Sequence, residues 1–220
     1  MSTDPNDRLA GALPREPLET AAEWLTKAWE LRAQPNPNSM SLATSTADGR
    51  PSARIVLCKE IVPRPGYIVF YTNYHSRKGR ELSDNPHAAA VLHFDALGCQ
   101  VRVEGLVEPS PAAESDAYFA SRTLESRIGA WASAQSEPIE SRERLQAAVA
   151  ETARRFGVDP HEPVPRPPHW GGYRLWAEAV ELWVEGAARI HDRARWTRTL
   201  TRAQDGHMEP GPWSVTRLQP

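Results

Sequence analysis

The sequence predicts a mainly β fold with flanking helices, its antiparallel strands following one another into a barrel or a sandwich. Three observations predict it. Between residues 40 and 107 the apolar residues fall in short, strand-length runs bounded by turn residues. An Asp48-Gly49 pair joins two of those runs, the strongest short-range signal for a hairpin. After a helical interval the chain returns to strand-like runs from Gly172 to Trp196, an order that favours a barrel or sandwich over a parallel α/β sheet.

Residues 1–16 are polar and contain proline, and are expected to be a mobile segment ahead of a single domain over 17–220. Leu18, Ala21, Ala22, Leu25, Ala28 and Trp29 recur mostly at helical spacing, so Pro17 to Arg32 reads as an amphipathic helix, ended by the Pro35/Pro37 stretch. Met40–Thr44, Ser52–Lys59 and Tyr67–Thr72 read as strands, and Ser76–Leu82 as a short helix. Ala88–Phe94 and Gln100–Val107 are two further strands. Ser110 is placed to cap a helix with Pro111 in its first turn, so 111–121 reads as helical, as does about 140–156. Pro163–Pro168 is an extended connector. Gly172–Leu175, Ala179–Val184 and Arg189–Trp196 complete the strands, with Glu185-Gly186 turning the last two.

Composition narrows the function classes. The net charge of −2 supplies no basic field for nucleic acid. Two cysteines, Cys58 and Cys99, are too few for a disulfide framework or a four-cysteine zinc site, which favours a reducing, cytoplasmic setting. Met1-Ser2-Thr3-Asp4-Pro5 has no basic and apolar signal pattern, and no apolar run nears the roughly 20 residues of a membrane span. Only three lysines (Lys27, Lys59, Lys78) stand against 23 arginines.

No dinucleotide GxGxxG loop, phosphate loop, HExxH, paired CxxC or GxSxG elbow is present. Anion recognition must therefore come from dispersed cations, hydroxyls and amides, and no metal site is expected. Four constellations qualify, each with a plainer alternative. Arg54 and Lys59 flank an apolar strand. Five residues apart they point to opposite faces, so they share a site only if the strand bends or the site straddles its end; otherwise they are solvated strand ends. Ser76-Arg77-Lys78 opens a helix, where free amides and two cations attract phosphate; the alternative is an ordinary capped surface helix. Tyr118, Arg122 and Ser126, spaced by four, share a face if one helix persists that far, and otherwise form a half-exposed helix face. Arg189, His191 and Arg193 share one face of a strand, where an anion would relieve their repulsion, or else line a solvated edge. Trp183, and Gln135-Ser136, say little alone.

Taken together, the stretches RIVLCK (54–59), FYTNYHSRKG (70–79), QVRVEG (100–105), YFASRTLESRIGAWASAQS (118–136), HWGGYR (169–174) and LWVEGAARIHDR (182–193) resemble the pyridoxine/pyridoxamine 5′-phosphate oxidase family. They run in family order from about residue 38 to the Arg217-Leu218-Gln219-Pro220 tail. The resemblance implies an FMN-binding split β-barrel that forms a homodimer with FMN at the subunit interface. It implies FMN contacts at Arg54, Ile55, Val56, Leu57, Lys59, Tyr71, Thr72, Arg77, Lys78, Gln100, Gln135, Ser136, Trp183 and Arg193. It implies a substrate-phosphate grip from Lys59, Tyr118, Arg122 and Ser126, with Arg189 and His191 against the substrate ring as the catalytic pair. The implied reaction moves a hydride from the substrate's C4′ carbon to the flavin, and O2 then yields H2O2.

The sequence departs from the family at a short N-terminus, at His93-Phe94-Asp95, at Cys99 and at Val184-Glu185. Phenazine-biosynthesis flavin oxidases are similar on the same scaffold and share the Arg-Leu-Gln-Pro tail, but tend to lose the substrate-phosphate set that is present here. A non-catalytic FMN or pyridoxal-phosphate carrier would need neither Arg189 nor His191.

Overall fold

The structure, a computed structural model, describes Leu9, residues 11–157 and residues 164–220. Its frame is a nine-stranded, antiparallel sheet among the described residues. The helix α1 (Pro17–Leu31) comes first, then β1 (Ser39–Ser45), β2 (Pro51–Leu57), β3 (Glu60–Val62) and β4 (Tyr67–Asn73). Next are α2 (Arg77–Asp84), β5 (His87–Phe94) and β6 (Cys99–Pro109). Three helices follow, α3 (Ala112–Ala120), α4 (Leu124–Ala132) and α5 (Arg142–Phe156). The chain ends in β7 (Trp170–Val184), β8 (Asp192–Thr197), the small hairpin β9 (Leu200–Arg202) and β10 (Met208–Pro210), and β11 (Ser214–Leu218).

Alternation along β1 and β6 puts Met40, Leu42, Val101 and Val103 inward, where they meet Ile68, Phe70, Leu92, Leu175, Leu182 and Trp196. Helix α1 lays Leu18, Ala21, Trp24 and Ala28 against that core. A smaller cluster, Phe119, Ile128, Val164 and Trp170, fastens α3 and α4 to the start of β7.

Strand β7 organises the sheet. One of its edges pairs with β6 along nearly its whole length. The other is shared: Trp170–Trp176 pair with β4, and Ala179–Val184 with β8. At the handover the β6 register slips between Glu104 and Gly105, where a Cβ on Gly105 would overlap the Trp176 carbonyl. Arg198 fills the fork. Its Nε donates to Ala177 O (2.8 Å), and its Nη1 and Nη2 to Pro65 O (3.0 Å) and Gly66 O (2.8 Å), with the guanidinium over the Trp213 ring. The sheet thus curls into a barrel left open between β2 and β4, which are not hydrogen-bonded to each other.

Several expected elements are corrected. The two strands read at 172–175 and 179–184 are one 15-residue strand, because Trp176 and Ala177 between them are buried and keep pairing with β6. Ser110 does not cap α3: the cap position is Pro111, without a side-chain bond, and Ser110 is buried with its N–H on Gly172 O. The mobile N-terminus expected for 1–16 falls largely on residues outside the described set. Within that set, Leu9 is buried, Pro14 O accepts from Trp196 and Glu16 caps α1. Pro163 also lies outside; of its neighbours, Val164 is buried and Pro165 O accepts from Trp131.

Replacing Arg198 by Ala removes three donors at the fork and leaves Ala177 O and Pro65 O without them, while Gly66 O keeps the Ala177 N–H. Urea unfolding is expected to give a stability about 1–3 kcal/mol below that of the native chain, the range for part-buried acceptors that lose a charged donor. A loss under about 0.5 kcal/mol would mean that solvent satisfies the fork unaided.

Candidate functional site

The open seam of the barrel is a cleft of about 1110 Å³. Strand β2 forms one wall, with Arg54, Ile55, Val56 and Leu57. Its outer edge has no strand partner among the described residues, so the side chains and backbone of 52–57 face the cleft together. Because β2 stops at Leu57, Lys59 lies past its end and turns into the same cleft as Arg54. The site straddles the strand end, as the spacing of five required.

One group of donors gathers where β4 runs into α2. Ser76 caps α2 and accepts from Gly79 N, so Arg77 and Lys78 fall in its first turn, against the helix dipole. Lys78 is buried and donates to Thr72 Oγ1 (3.0 Å), Ser76 Oγ (3.1 Å) and Gln135 Oε1 (3.1 Å). Burial, and then the nearby Arg54 charge, lower its amine to a pKa of about 8. Gln135 and Ser136 come to the cleft on the loop after α4, with Ser136 in the left-handed region at φ 74°. Behind them Glu81 accepts from Ser52, Thr44, Arg77 and Arg54. Burial alone would raise its carboxyl, but those four bonds hold it down to about 2.

A second group stands around stacked aromatic rings. Tyr71 lies 4.0 Å from Tyr118 and 5.5 Å from Trp170, all near-parallel. Lys59 Nζ sits over Tyr118, and the Arg122 guanidinium 4.7 Å over Trp170. Arg122 Nη1 is buried with no hydrogen-bond partner, and burial lowers the pKa of the guanidinium. Burial also pushes the Tyr71 phenol up to about 12. Tyr118, Arg122 and Ser126 do line the cleft together, but not from one helix. Helix α3 ends at Ala120, and Thr123 caps α4 by accepting from Ser126 N. The break leaves Arg122 between the helices and aims the start of α4 into the cleft.

The third predicted group lies elsewhere. Gln100, Trp183 and Arg193 are direct cross-strand neighbours on β6, β7 and β8. The His191 ring lies 4.6 Å from that of Trp183 and accepts from Gly186 N. Arg193 is held by Glu181 (2.8 Å) and Gln219 O (2.9 Å). The expected strand face of Arg189, His191 and Arg193 is corrected: β8 begins at Asp192, and Ala187–Arg189 form a tight 3-10 turn with Ala188 and Arg189 at positive φ. Gly186 starts this turn because a Cβ there would overlap Ile190 O. None of Gln100, Trp183, Arg189, His191 and Arg193 lines the cleft of their own chain.

The family models match both halves of this arrangement. One, described as "Pyridoxamine 5'-phosphate oxidase", matches residues 28–155, which hold the cleft's β2, α2, α3 and α4. The other, "Pyridoxine 5'-phosphate oxidase C-terminal dimerisation region", matches 170–220. The chain belongs to the pyridoxamine 5′-phosphate oxidase family. Among its relatives are proteins named pyridoxine/pyridoxamine 5′-phosphate oxidase from Paraburkholderia phytofirmans, 49% identical over 208 residues (94% of this chain, 91% of that one), and from Burkholderia mallei, 51% identical over 197 residues (90% and 86%). Among solved structures, PhzG from Burkholderia lata in complex with tetrahydrophenazine-1-carboxylic acid is 32% identical, covers 94% of each chain and has a TM-score of 0.80. A pyridoxamine 5′-phosphate oxidase-related, FMN-binding protein from Nostoc punctiforme shares the fold, at 17% identity over 92% of this chain and 96% of that one, with a TM-score of 0.65. The split barrel of the pyridoxamine 5′-phosphate oxidase family is therefore the fold of this chain, and its open seam is the cleft.

Sequence reasoning missed Glu81, Ser52, Thr123 and Trp170. Glu81 follows Arg77 by four, a detectable ion-pair spacing, and Trp170 sits inside HWGGYR. Ser52 and Thr123 carried no signal beyond being hydroxyls.

A lysine buried beside an arginine costs the protein stability. Its folded pKa, about 8, lies below the ordinary 10.5, so the cost is present at neutral pH and fades as pH rises from 8 to 10.5. Lys78→Met is therefore expected to melt about 2–4 °C above the ligand-free native chain at pH 7, with the gap closing by pH 10. A lower melting point at pH 7 would show that the three hydrogen bonds outweigh the buried charge.

Proposed function

We propose that this chain is an FMN-dependent oxidase that converts pyridoxamine 5′-phosphate or pyridoxine 5′-phosphate to pyridoxal 5′-phosphate, with O2 as acceptor and H2O2 as product. The observation that carries the reading is one cleft with two separate cation-and-hydroxyl groups, one around Lys78 and one around Arg122, joined by the aromatic ring of Tyr71. Two phosphate-bearing molecules stacked ring on ring need such a pair of grips. Relatives at about half identity carry the corresponding name.

The residues suit the cofactor. Arg54, Arg77 and Lys78 with Glu81 give a net charge of +2, matched to a phosphate dianion. Thr72, Gln135 and Ser136 add neutral partners, and Ile55, Val56 and Leu57 with their unpaired strand edge would lie along the flavin. FMN, when bound, supplies the two-electron acceptor for the substrate's C4′ hydride and the route to O2. Lys59, Arg122, Tyr118 and Ser126 would take the substrate phosphate, Arg122 through its unpartnered Nη1.

The remaining residues, Gln100, Trp183, Arg189, His191 and Arg193, would reach the flavin and substrate from a second copy of the chain across a two-fold. Two observations support a homodimer: this half-site stands outside its own cleft, and most of it lies in the stretch that matches a dimerisation region. Arg189 would hold the substrate ring over the flavin, and His191, buttressed by Trp183, would hydrogen-bond the substrate's C4′ substituent. Their work is orientation of the reacting carbon. Oxidising the amine consumes O2 and water and releases ammonia and H2O2; oxidising the alcohol consumes O2 and releases H2O2.

The 32% identity to PhzG supports a second reading, oxidation of an unphosphorylated aromatic substrate on the same scaffold. A steady-state assay separates the two. FMN-loaded protein in air is expected to turn over pyridoxamine or pyridoxine 5′-phosphate and to leave an unphosphorylated aromatic amine untouched. Arg122→Ala is expected to raise the KM for the phosphorylated substrate about 100-fold, the worth of a lost charge-assisted phosphate contact, with FMN affinity within about threefold of native. Equal losses in both would remove Arg122 from the substrate grip, and preference for the unphosphorylated amine would favour the second reading.

A further inference from the structure

The cations at the α2 end of the cleft are not free to turn. Arg54 donates through Nη1 to Leu42 O (3.2 Å) and Thr44 Oγ1 (2.6 Å), and through Nη2 to Ser52 Oγ and Glu81 Oε2 (3.2 Å). Arg77 donates through Nε to Glu81 Oε1 (2.9 Å). Glu81 Oε2 also accepts from Ser52 Oγ (2.6 Å) and Thr44 Oγ1. Both arginines line the cleft, whereas the carboxylate that joins them is 4% exposed and does not.

A buried carboxylate that accepts four hydrogen bonds, at least one on each oxygen, is a fixed point. It stands one turn beyond Arg77 on α2 and reaches across to β1 and β2, so it sets where both guanidinium groups point. It also removes one charge of three. Without it Arg54, Arg77 and Lys78 would repel one another, and a bound phosphate dianion would leave one cation uncompensated in a half-buried site.

We propose that Glu81 is the positioning residue of the flavin-phosphate site: one oxygen fixes Arg77, the other fixes Arg54, and its charge trims the site to that of a single phosphomonoester dianion. This rests on the FMN reading above and adds to it a residue that never meets the ligand.

The test uses the full chain, stripped of flavin and titrated with FMN and with riboflavin, following flavin fluorescence. The two ligands differ only in the phosphate, so a residue that merely pins α2 to the barrel changes both affinities alike. Glu81→Ala is expected to weaken FMN binding about 100-fold and riboflavin binding by less than about threefold, since two charge-assisted donors lose their orientation. Glu81→Gln guards against a variant that fails to fold. Its amide replaces one acceptor by a donor and can hold one arginine but not both, so the FMN-to-riboflavin preference is expected to fall about tenfold. If both variants keep the native preference within about twofold while melting lower, Glu81 only fastens the helix and the proposal is overturned. A native chain with no preference for FMN over riboflavin would overturn the flavin reading itself, and this inference with it.

Discussion

Strand β7 has to serve two partners along one edge, and the rest of the molecule follows from how that is arranged. Its N-terminal half pairs with β4 and its C-terminal half with β8, while β6 runs along the opposite edge throughout. Two strands cannot occupy one edge at the same level, so they diverge, and the backbone groups freed at the fork need a donor of their own. Arg198 provides it, together with the Ala177 N–H to Gly66 O bond. Divergence curls one limb of the sheet back until β2 faces β4 across an unbonded seam, which is the cleft. The other limb carries β8 and β11 away with Trp183 and Arg193. One fork therefore produces both the cation-lined cleft and the second polar cluster, and keeps them apart within a chain.

The electrostatics of the cleft are costly to the protein alone. Lys78 is buried near Arg54 with only neutral partners in hand. Arg122 is stacked on Trp170 with a buried, unpaired nitrogen. Groups held this way are ill suited to stability and well suited to receiving phosphate oxygens, which resupply the missing partners and charge. The carboxylate of Glu81 offsets the repulsion by pairing with both Arg54 and Arg77.

Much of this was legible in the sequence, with a consistent boundary. Strands on one barrel face announced themselves by alternation, as in β1 and β6, and the helix cap at Ser76 with two cations behind it marked the cation-rich end of the cleft. What the sequence concealed is set by chain reversal and long-range pairing. Three residues spaced by four suggested one helix, yet Thr123 recaps the chain and splits Tyr118 from Ser126. Alternation from Arg189 suggested a strand, yet positive φ at Ala188 and Arg189 makes a turn. Strand β7 looked like two strands because burial on both faces erases the period of two. The short edge strands β3, β9 and β10 are too brief to carry a pattern, and Glu81's partners on β1 and β2 lie 27 to 37 residues away in the chain.

The central claim is that the cleft and the Trp183–Arg193 cluster are two halves of one site, contributed by different copies. Mixing two impaired variants, assayed at substrate concentrations far below the raised KM of Arg122→Ala, tests it most directly. Arg122→Ala disables the cleft half and Arg189→Ala the other half. When the two are unfolded and refolded together in equal amounts, half of the dimers are mixed, and each mixed dimer regains one intact site, so about a quarter of the native turnover should return. If the mixture stays as inactive as either parent although mixed dimers form, each site is built within one chain and the account is contradicted.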